Sequence, residues 1–291
     1  MRTKWITLSL VILVVLSPWG INALLKRSNL FKSTFVFNEL KNKTLDYVII
    51  GSSRGLTTLN TNLIDSLTGL NGFNASTDGG GIATNVLMLQ HLIHNKVKFK
   101  YCIFTLDAIG IADNTYQFSK NTYRFVPFCQ ESYIQETMTK FEDCKEKFNF
   151  RASRFYPGFT VFENNKTLLT GAARALINPK IRNRYDEKGN YTYPLGQPIN
   201  KNISFDTTEF KQYGYVYYDL QKICIENNIN LITYIAPIEG HYLKVPATKN
   251  LINHSNLLNK SKFFADELHV NPLGRELTTK RFVKDWIKKS P

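Results

Sequence analysis

Across 291 residues the chain has only four cysteines, three methionines and three tryptophans, and its 23 acidic residues are outnumbered by 37 lysines and arginines. No Cys-x-x-Cys pair occurs and the histidines are not clustered, so neither a metal centre nor any cofactor is expected. A Gly-x-Gly-x-x-Gly run after a strand is missing, which removes the dinucleotide-binding reading. Repeats of solenoid period and low-complexity tracts are missing too. The shortage of acids leaves a net charge of +14, spread along the chain rather than gathered in one arm. Such a surface is either a solvated basic face or one with affinity for anionic lipid headgroups or an acidic glycan. None of the usual nucleic-acid-binding motifs is present, and nucleic acid is not an expected partner.

Charge is also missing from Trp5 to Leu25. As a helix of about 21 residues at ~1.5 Å each, this run spans roughly 31 Å, against a hydrocarbon core of ~30 Å. Arg2 and Lys4 precede it and Lys26 and Arg27 close it. A cleavable signal needs small residues at −3 and −1, and Ala23 has Ile21 two positions before it. An uncleaved anchor over 1–27, followed by a polar stem at 28–43, is therefore the expected organisation. Basic residues on both sides leave orientation undecided by charge.

The cysteines divide into two pairs. Cys102 and Cys224 sit in apolar runs and read as small buried hydrophobes. Cys129 and Cys144 flank a polar segment; in an oxidising compartment they are able to pair, and spacing alone leaves that open.

From 44 to 291 short apolar runs alternate with helical patterns. Strands are expected at 45–50, 69–73, 101–106 and 230–237, and helices at 54–68, 82–94, 209–228 and 273–289. This alternation implies an α/β domain with a parallel sheet, right-handed crossovers and helices on both faces. Residues 113–205, rich in aromatics, Asn, Lys and Arg, break the rhythm and read as an insertion that decorates the sheet or caps a site.

Ligands of an open parallel sheet collect at the carboxyl ends of its strands, and three segments fall there. Gly51-Ser52-Ser53-Arg54-Gly55 follows the first strand, where small residues permit a sharp turn that lifts a hydroxyl above the sheet. Asn74-Ala75-Ser76-Thr77-Asp78-Gly79-Gly80-Gly81 follows the second, and its glycines let backbone amides approach a ligand closely. Asp266 and His269 precede the last helix, spaced so that the carboxylate can hold one imidazole nitrogen while the other faces a serine. Each has a plainer alternative: a capped turn, a flexible loop, two polar loop residues.

Together and in this order, the three segments resemble the SGNH (GDSL-like) hydrolase superfamily over about 44–288, excluding much of the insertion. Asn271 and Gly274, two and five residues after His269, match the spacing of that family's last block. The resemblance implies a flavodoxin-like three-layer fold, with Ser53 as nucleophile, His269 as base and Asp266 as its orienter. The oxyanion would be held by the amides of Ser53 and Gly79. Ser52 replaces the family's usual Asp, and Asp107 stands where an oxyanion Asn is normal, which points to Asn85 or Asn114 as substitute donors. Arg54 is a candidate either for orienting an anionic substrate or for pairing with an acid.

An anchored chain with Gly-Ser-Ser-Arg is similar to accessory proteins of envelope-polysaccharide acylation, the alginate acetylation and teichoic-acid D-alanine transfer proteins among them. That implies an extracytoplasmic serine O-acyl transferase or esterase acting on a cell-envelope glycan, working beside a membrane-bound O-acyltransferase. The other reading from the same residues is a non-catalytic glycan-binding or acyltransferase-partner protein.

Overall fold

A computed structural model describes residues 2–112, 114–119, 121–195 and 201–289, and positions 113, 120 and 196–200 of the expected insertion lie outside it. The chain forms two compact units, one of 1–41 with 122–183 and one of 42–121 with 184–291.

The larger unit is α/β. Its sheet has β1 (Tyr47–Gly51), β2 (Gly72–Asn74), β3 (Tyr101–Thr105), β5 (Asn230–Ile235) and β7 (Leu251–Asn253), all parallel, in the order β2-β1-β3-β5-β7. A separate two-stranded parallel ribbon joins β4 (Asp206–Glu209) to β6 (His241–Lys244). All five residues of β1 are buried, as a strand covered on both faces requires. Alternate side chains then serve two layers. Tyr47, Ile49, Ile103 and Ile232 pack with Ile64 of α4 (Thr61–Thr68) and with Phe282, Val283 and Trp286 of α12 (Pro272–Lys289). On the other face α5 (Ile82–His94) and α11 (Tyr215–Glu226) cover the sheet, where Phe104 stacks on Tyr217 and Cys102 lies beside Cys224. Both of these cysteines are fully buried, as their apolar runs predict. A single turn, α6 (Ala108–Ile111), follows β3.

Several boundaries differ from expectation. The helix expected at 54–68 is two, α3 (Ser53–Thr58) and α4, because Asn60 caps a new start by accepting the Asn62 amide. The stretch from 209 begins as the end of β4 and becomes helical only at Tyr215. The edge strand β7 is three residues long, too short for periodicity to show.

The smaller unit is helical. It contains α1 (Arg2–Lys26), α2 (Lys32–Phe35), a π turn (Val36–Leu40), a 3-10 segment (Thr122–Phe128), α7 (Ser132–Thr139), α8 (Cys144–Ala152), α9 (Gly158–Glu163) and α10 (Asn165–Ile177). Residues 28–36, expected in a stem, are instead buried, with Leu30, Phe31, Phe35 and Val36 in this unit's core. Their apolar residues, too few to show a period, find partners supplied by 122–183. Within α1 the side chains divide. Trp5 to Leu16 stand exposed, whereas Ile21 and Leu25 are buried where α1 packs on α9 and α10. The helix is long and apolar enough to cross a membrane, a property that anchors and signal sequences share. Cys129 is buried and Cys144 exposed, and both are free thiols.

Candidate active site

Strand order reverses between β1 and β3, since β2 lies outside β1 while β5 and β7 lie beyond β3. A sheet of this kind opens a crevice at such a point, beyond the carboxyl ends of the strands. Ser53 begins α3 directly after β1. Ser52 is its N-cap, the Oγ accepting the Arg54 amide at 3.2 Å, so the serine absent from the catalytic reading is the one that shapes the turn. Asn74, completely buried at the end of β2, donates to the Gly55 carbonyl at 2.9 Å and accepts the Ser76 amide. It thereby holds α3 against the second segment.

The third segment folds as a tight loop between Phe264 and Val270, which bridge each other antiparallel. Asp266 Oδ1 accepts the amides of Leu268 and His269, both at 2.9 Å, a local turn that its short side chain is able to close. The same carboxylate lies 2.8 Å and 2.9 Å from His269 Nδ1. On the other edge of the ring, Nε2 lies 2.8 Å from Ser53 Oγ. With the imidazole proton on Nδ1, Ser53 donates to Nε2 while Nδ1–H donates to Asp266. Partial burial pushes the Asp266 carboxyl up, but the hydrogen bonds from His269 and the Leu268 amide outweigh it and leave it below the ordinary carboxylate range. Tyr193 lies against the His269 ring, centroids 4.9 Å apart.

Downstream residues lock this loop in place. Asn271 Oδ1 accepts the amides of Leu273 and Gly274, and its Nδ2 donates to the carbonyls of Lys262 and Phe264. It caps α12 and ties that helix start to the 3-10 turn (Ser261–Phe263) and bridge residue at the loop's entry. At Gly274 a side chain would collide with the Phe263 carbonyl, a backbone atom with nowhere to go. The Asn and Gly that follow His269 are thus scaffolding, one capping and one permitting close approach.

A cavity of about 420 Å³ opens beside Ser53, lined by Gly79, Ile82, Asn85, Phe104, Leu106 and Ile238 among others. That is within the range of small-ligand sites, and its walls are chiefly apolar. Gly79 has φ +58°, the left-handed region, in the turn that brings this loop to the cavity. Of the two asparagines, Asn85 lines the cavity. Asn114 does not; its side-chain carbonyl accepts the Tyr215 amide at 3.0 Å instead, at the start of α11.

Arg54 and Asp107 resolve each other. The Arg54 guanidinium is buried and donates to Asp107 at 3.2 Å and to the backbone carbonyls of Ala236 and Pro237. One side chain therefore ties the ends of β1, β3 and β5 together. Desolvation lowers the Arg54 pKa, opposed by the Asp107 charge. Arg54 therefore pairs with an acid, one of the two roles expected of it, and both it and the partly exposed Asp107 also line the cavity. Asp107, whose negative charge would oppose an oxyanion, is balanced by that cation.

Sequence reading missed Tyr193 and the buried Asn190, which accepts from Thr61 and Arg275. Both lie in irregular chain, where no period exists to find them. Comparison with known proteins supplies no family here: no protein-family model matches the chain, and no curated protein is similar to it.

Proposed function

We propose that this protein is a serine-dependent acyl-transfer enzyme of SGNH type, an O-acyl transferase or esterase, with Ser53, His269 and Asp266 as its triad. The observation that carries the reading is the unbroken hydrogen-bonded chain from Asp266 through His269 to Ser53 beside an apolar cavity. Ser53 Oγ attacks the ester carbonyl as His269 Nε2 takes its proton, and Asp266 stabilises the imidazolium. The tetrahedral oxyanion is held by the amides of Ser53 and Gly79, with the Asn85 side chain as a further donor. Collapse expels the alcohol, which leaves with the proton from His269, and an acyl group remains on Ser53. A second hydroxyl, from water or from a sugar, then gives its proton to His269 and takes the acyl group away.

The biological setting is proposed on the same basis. The apolar helix α1 serves as a membrane anchor, the sheet unit faces the extracytoplasmic side, and the acceptor or donor is a cell-envelope glycan handled beside a membrane-bound O-acyltransferase. Ser52 and Asp107, the two departures from the family pattern, are what favours the alternative of a non-catalytic binding protein. The catalytic reading is supported by the capping role of Ser52 and by the cationic partner of Asp107.

The test is intact-mass analysis of the detergent-solubilised full chain after brief exposure to p-nitrophenyl acetate. One acetyl adduct is expected on the native protein and none on Ser53→Ala. An adduct of equal yield on folded Ser53→Ala removes Ser53 from the nucleophile's role.

A further inference from the structure

The helical unit leaves large apolar side chains in the open. Phe155 is 79% exposed and Ile177 87%, and Phe148, Phe159, Phe162, Leu169 and Leu176 are also exposed. Phe148, Phe159 and Phe162 are linked with Tyr156 into a connected group. Phe148 meets Phe159 at 5.9 Å between centroids, Phe159 meets Tyr156 at 5.9 Å, and Tyr156 meets Phe162 at 6.4 Å. Tyr156 in turn packs on Trp19 of α1 at 4.8 Å. An apolar surface of this extent marks an interaction site, and this one is continuous with the helix read as the anchor.

Depth follows from length. A hydrocarbon core of ~30 Å takes about 20 helical residues, and counted from Trp5 such a span ends near Leu24. Trp19 falls inside it, roughly 21 Å along the helix at ~1.5 Å per residue. The aromatic group that touches Trp19 therefore lies at membrane depth whenever α1 crosses.

Charge names the lipid. Beside the aromatics a crevice of about 570 Å³ is lined by Lys147, Arg151 and Arg154 together with Phe148 and Phe155, and no acidic side chain is among its described lining residues. Lys147 and Arg151 lie one turn apart on α8 and Arg154 follows in the turn after it, and each is followed directly by an apolar residue of the same wall. A cationic rim over aromatic walls matches an anionic headgroup above an acyl chain.

The geometry points to the α8–α10 face of the helical unit as a membrane-embedded platform, with the Lys147–Arg151–Arg154 crevice taking the headgroup of an anionic phospholipid. This inference rests on the reading of α1 as a membrane span, and its test separates the two. The full chain, with Cys144→Ser to remove the exposed thiol, receives one environment-sensitive fluorophore through Phe155→Cys or, separately, Leu10→Cys. Each is reconstituted in vesicles of phosphatidylcholine with or without phosphatidylglycerol, and quenched with neutral acrylamide. Both labels are expected to be shielded several-fold relative to labelled free cysteine, and shielding at 155 is expected to deepen with phosphatidylglycerol. The charge reversals Lys147→Glu, Arg151→Glu and Arg154→Glu, made together with helical circular dichroism unchanged, should abolish that deepening. A shielded label at 10 with a fully quenched one at 155 overturns the platform while sparing the anchor, and leaves the face for a protein partner. Labels quenched at both positions overturn the anchor and the platform together. Shielding at 155 that is indifferent to phosphatidylglycerol overturns the headgroup site.

Discussion

The sheet unit holds two histidine–aspartate pairs of nearly equal geometry and very different setting. His269 joins Asp266 through Nδ1 and presents Nε2 to Ser53 at a strand end. His254 joins Asp285 through Nε2 at 3.1 Å, while its Nδ1 is buried and finds no acceptor among the described groups. Tyr234 stands edge-on to the His254 ring, and Arg281 shares Asp285 with it. In the proposed function the first pair passes a proton between Ser53 and its reactants. At His254 no nucleophile meets the ring's other nitrogen among the described residues. A His–Asp hydrogen bond is thus common to both, and what separates a candidate base from a structural histidine is the group at the ring's far edge.

Substitution at the two rings should break this equivalence most widely. His269→Ala is expected to slow acylation of Ser53 by on the order of 10⁶-fold, since the base and nucleophile act as a unit. Asp266→Asn should cost between about 10² and 10⁴-fold, less than a fully buried orienter would, because its carboxylate is half-exposed. His254→Gln should leave the rate within about twofold, as residues that touch neither reactant nor base do. Burst kinetics with p-nitrophenyl acetate measure all three. Comparable losses at 254 and 269 would erase the distinction drawn between the pairs.

The next largest effect is expected at Arg54. Asp107→Asn leaves a buried guanidinium without its counter-charge while the two carbonyls still accept from it. A cost of about 1–3 kcal/mol is expected in denaturant unfolding, where an intact pair partner is lost from a mostly buried site. Acylation should not speed up. A faster Asp107→Asn enzyme would mean that the Asp107 charge does oppose the oxyanion, despite Arg54.

How much of this was legible in the sequence depends on which unit is read. In the sheet unit, β1, β3 and β5 are buried between α12 on one face and α5 on the other, so apolar runs and strand-end glycines locate them, and with them Ser53, Asp266 and His269. What failed there was local or irregular: the Asn60 cap that splits a helix, the three-residue β7, and Tyr193 on a coil segment. Among the motif residues, Arg54 stood open between a substrate and an acid, and Asn271 and Gly274 were placed by spacing alone. Arg54, Asn271 and Gly274 turn out to brace the site, which a spacing pattern cannot reveal because it records position and not partner. In the helical unit the apolar pattern answers to two demands, an interior and the exposed face around Phe155 and Tyr156. Residues 28–36 looked like a stem because their partners are supplied from 122–183, far along the chain.

The smallest expected effect concerns the pH response of the second pair. Burial holds the His254 pKa below its ordinary 6.5, opposed by the hydrogen bond to Asp285. The unfolded chain therefore binds the His254 proton at a higher pH than the folded chain does. Stability from this residue is complete above pH 6.5, and is lost as pH falls from there toward the depressed folded value. Asp285 does not cancel the trend in that window: burial raises its carboxyl, its bonds to Arg281 and His254 lower it further, and the net depressed value keeps it ionised well below. Thermal unfolding of the full chain in detergent at pH 7.5 and 5.5 should show the native protein losing more than His254→Gln, whose amide does not titrate. Identical losses would place the acid sensitivity elsewhere. A larger loss in the variant would mean that protonated His254 strengthens its bond to Asp285 by more than burial weakens it, and the buried pair would then be an acid-stabilised tie rather than a neutral one.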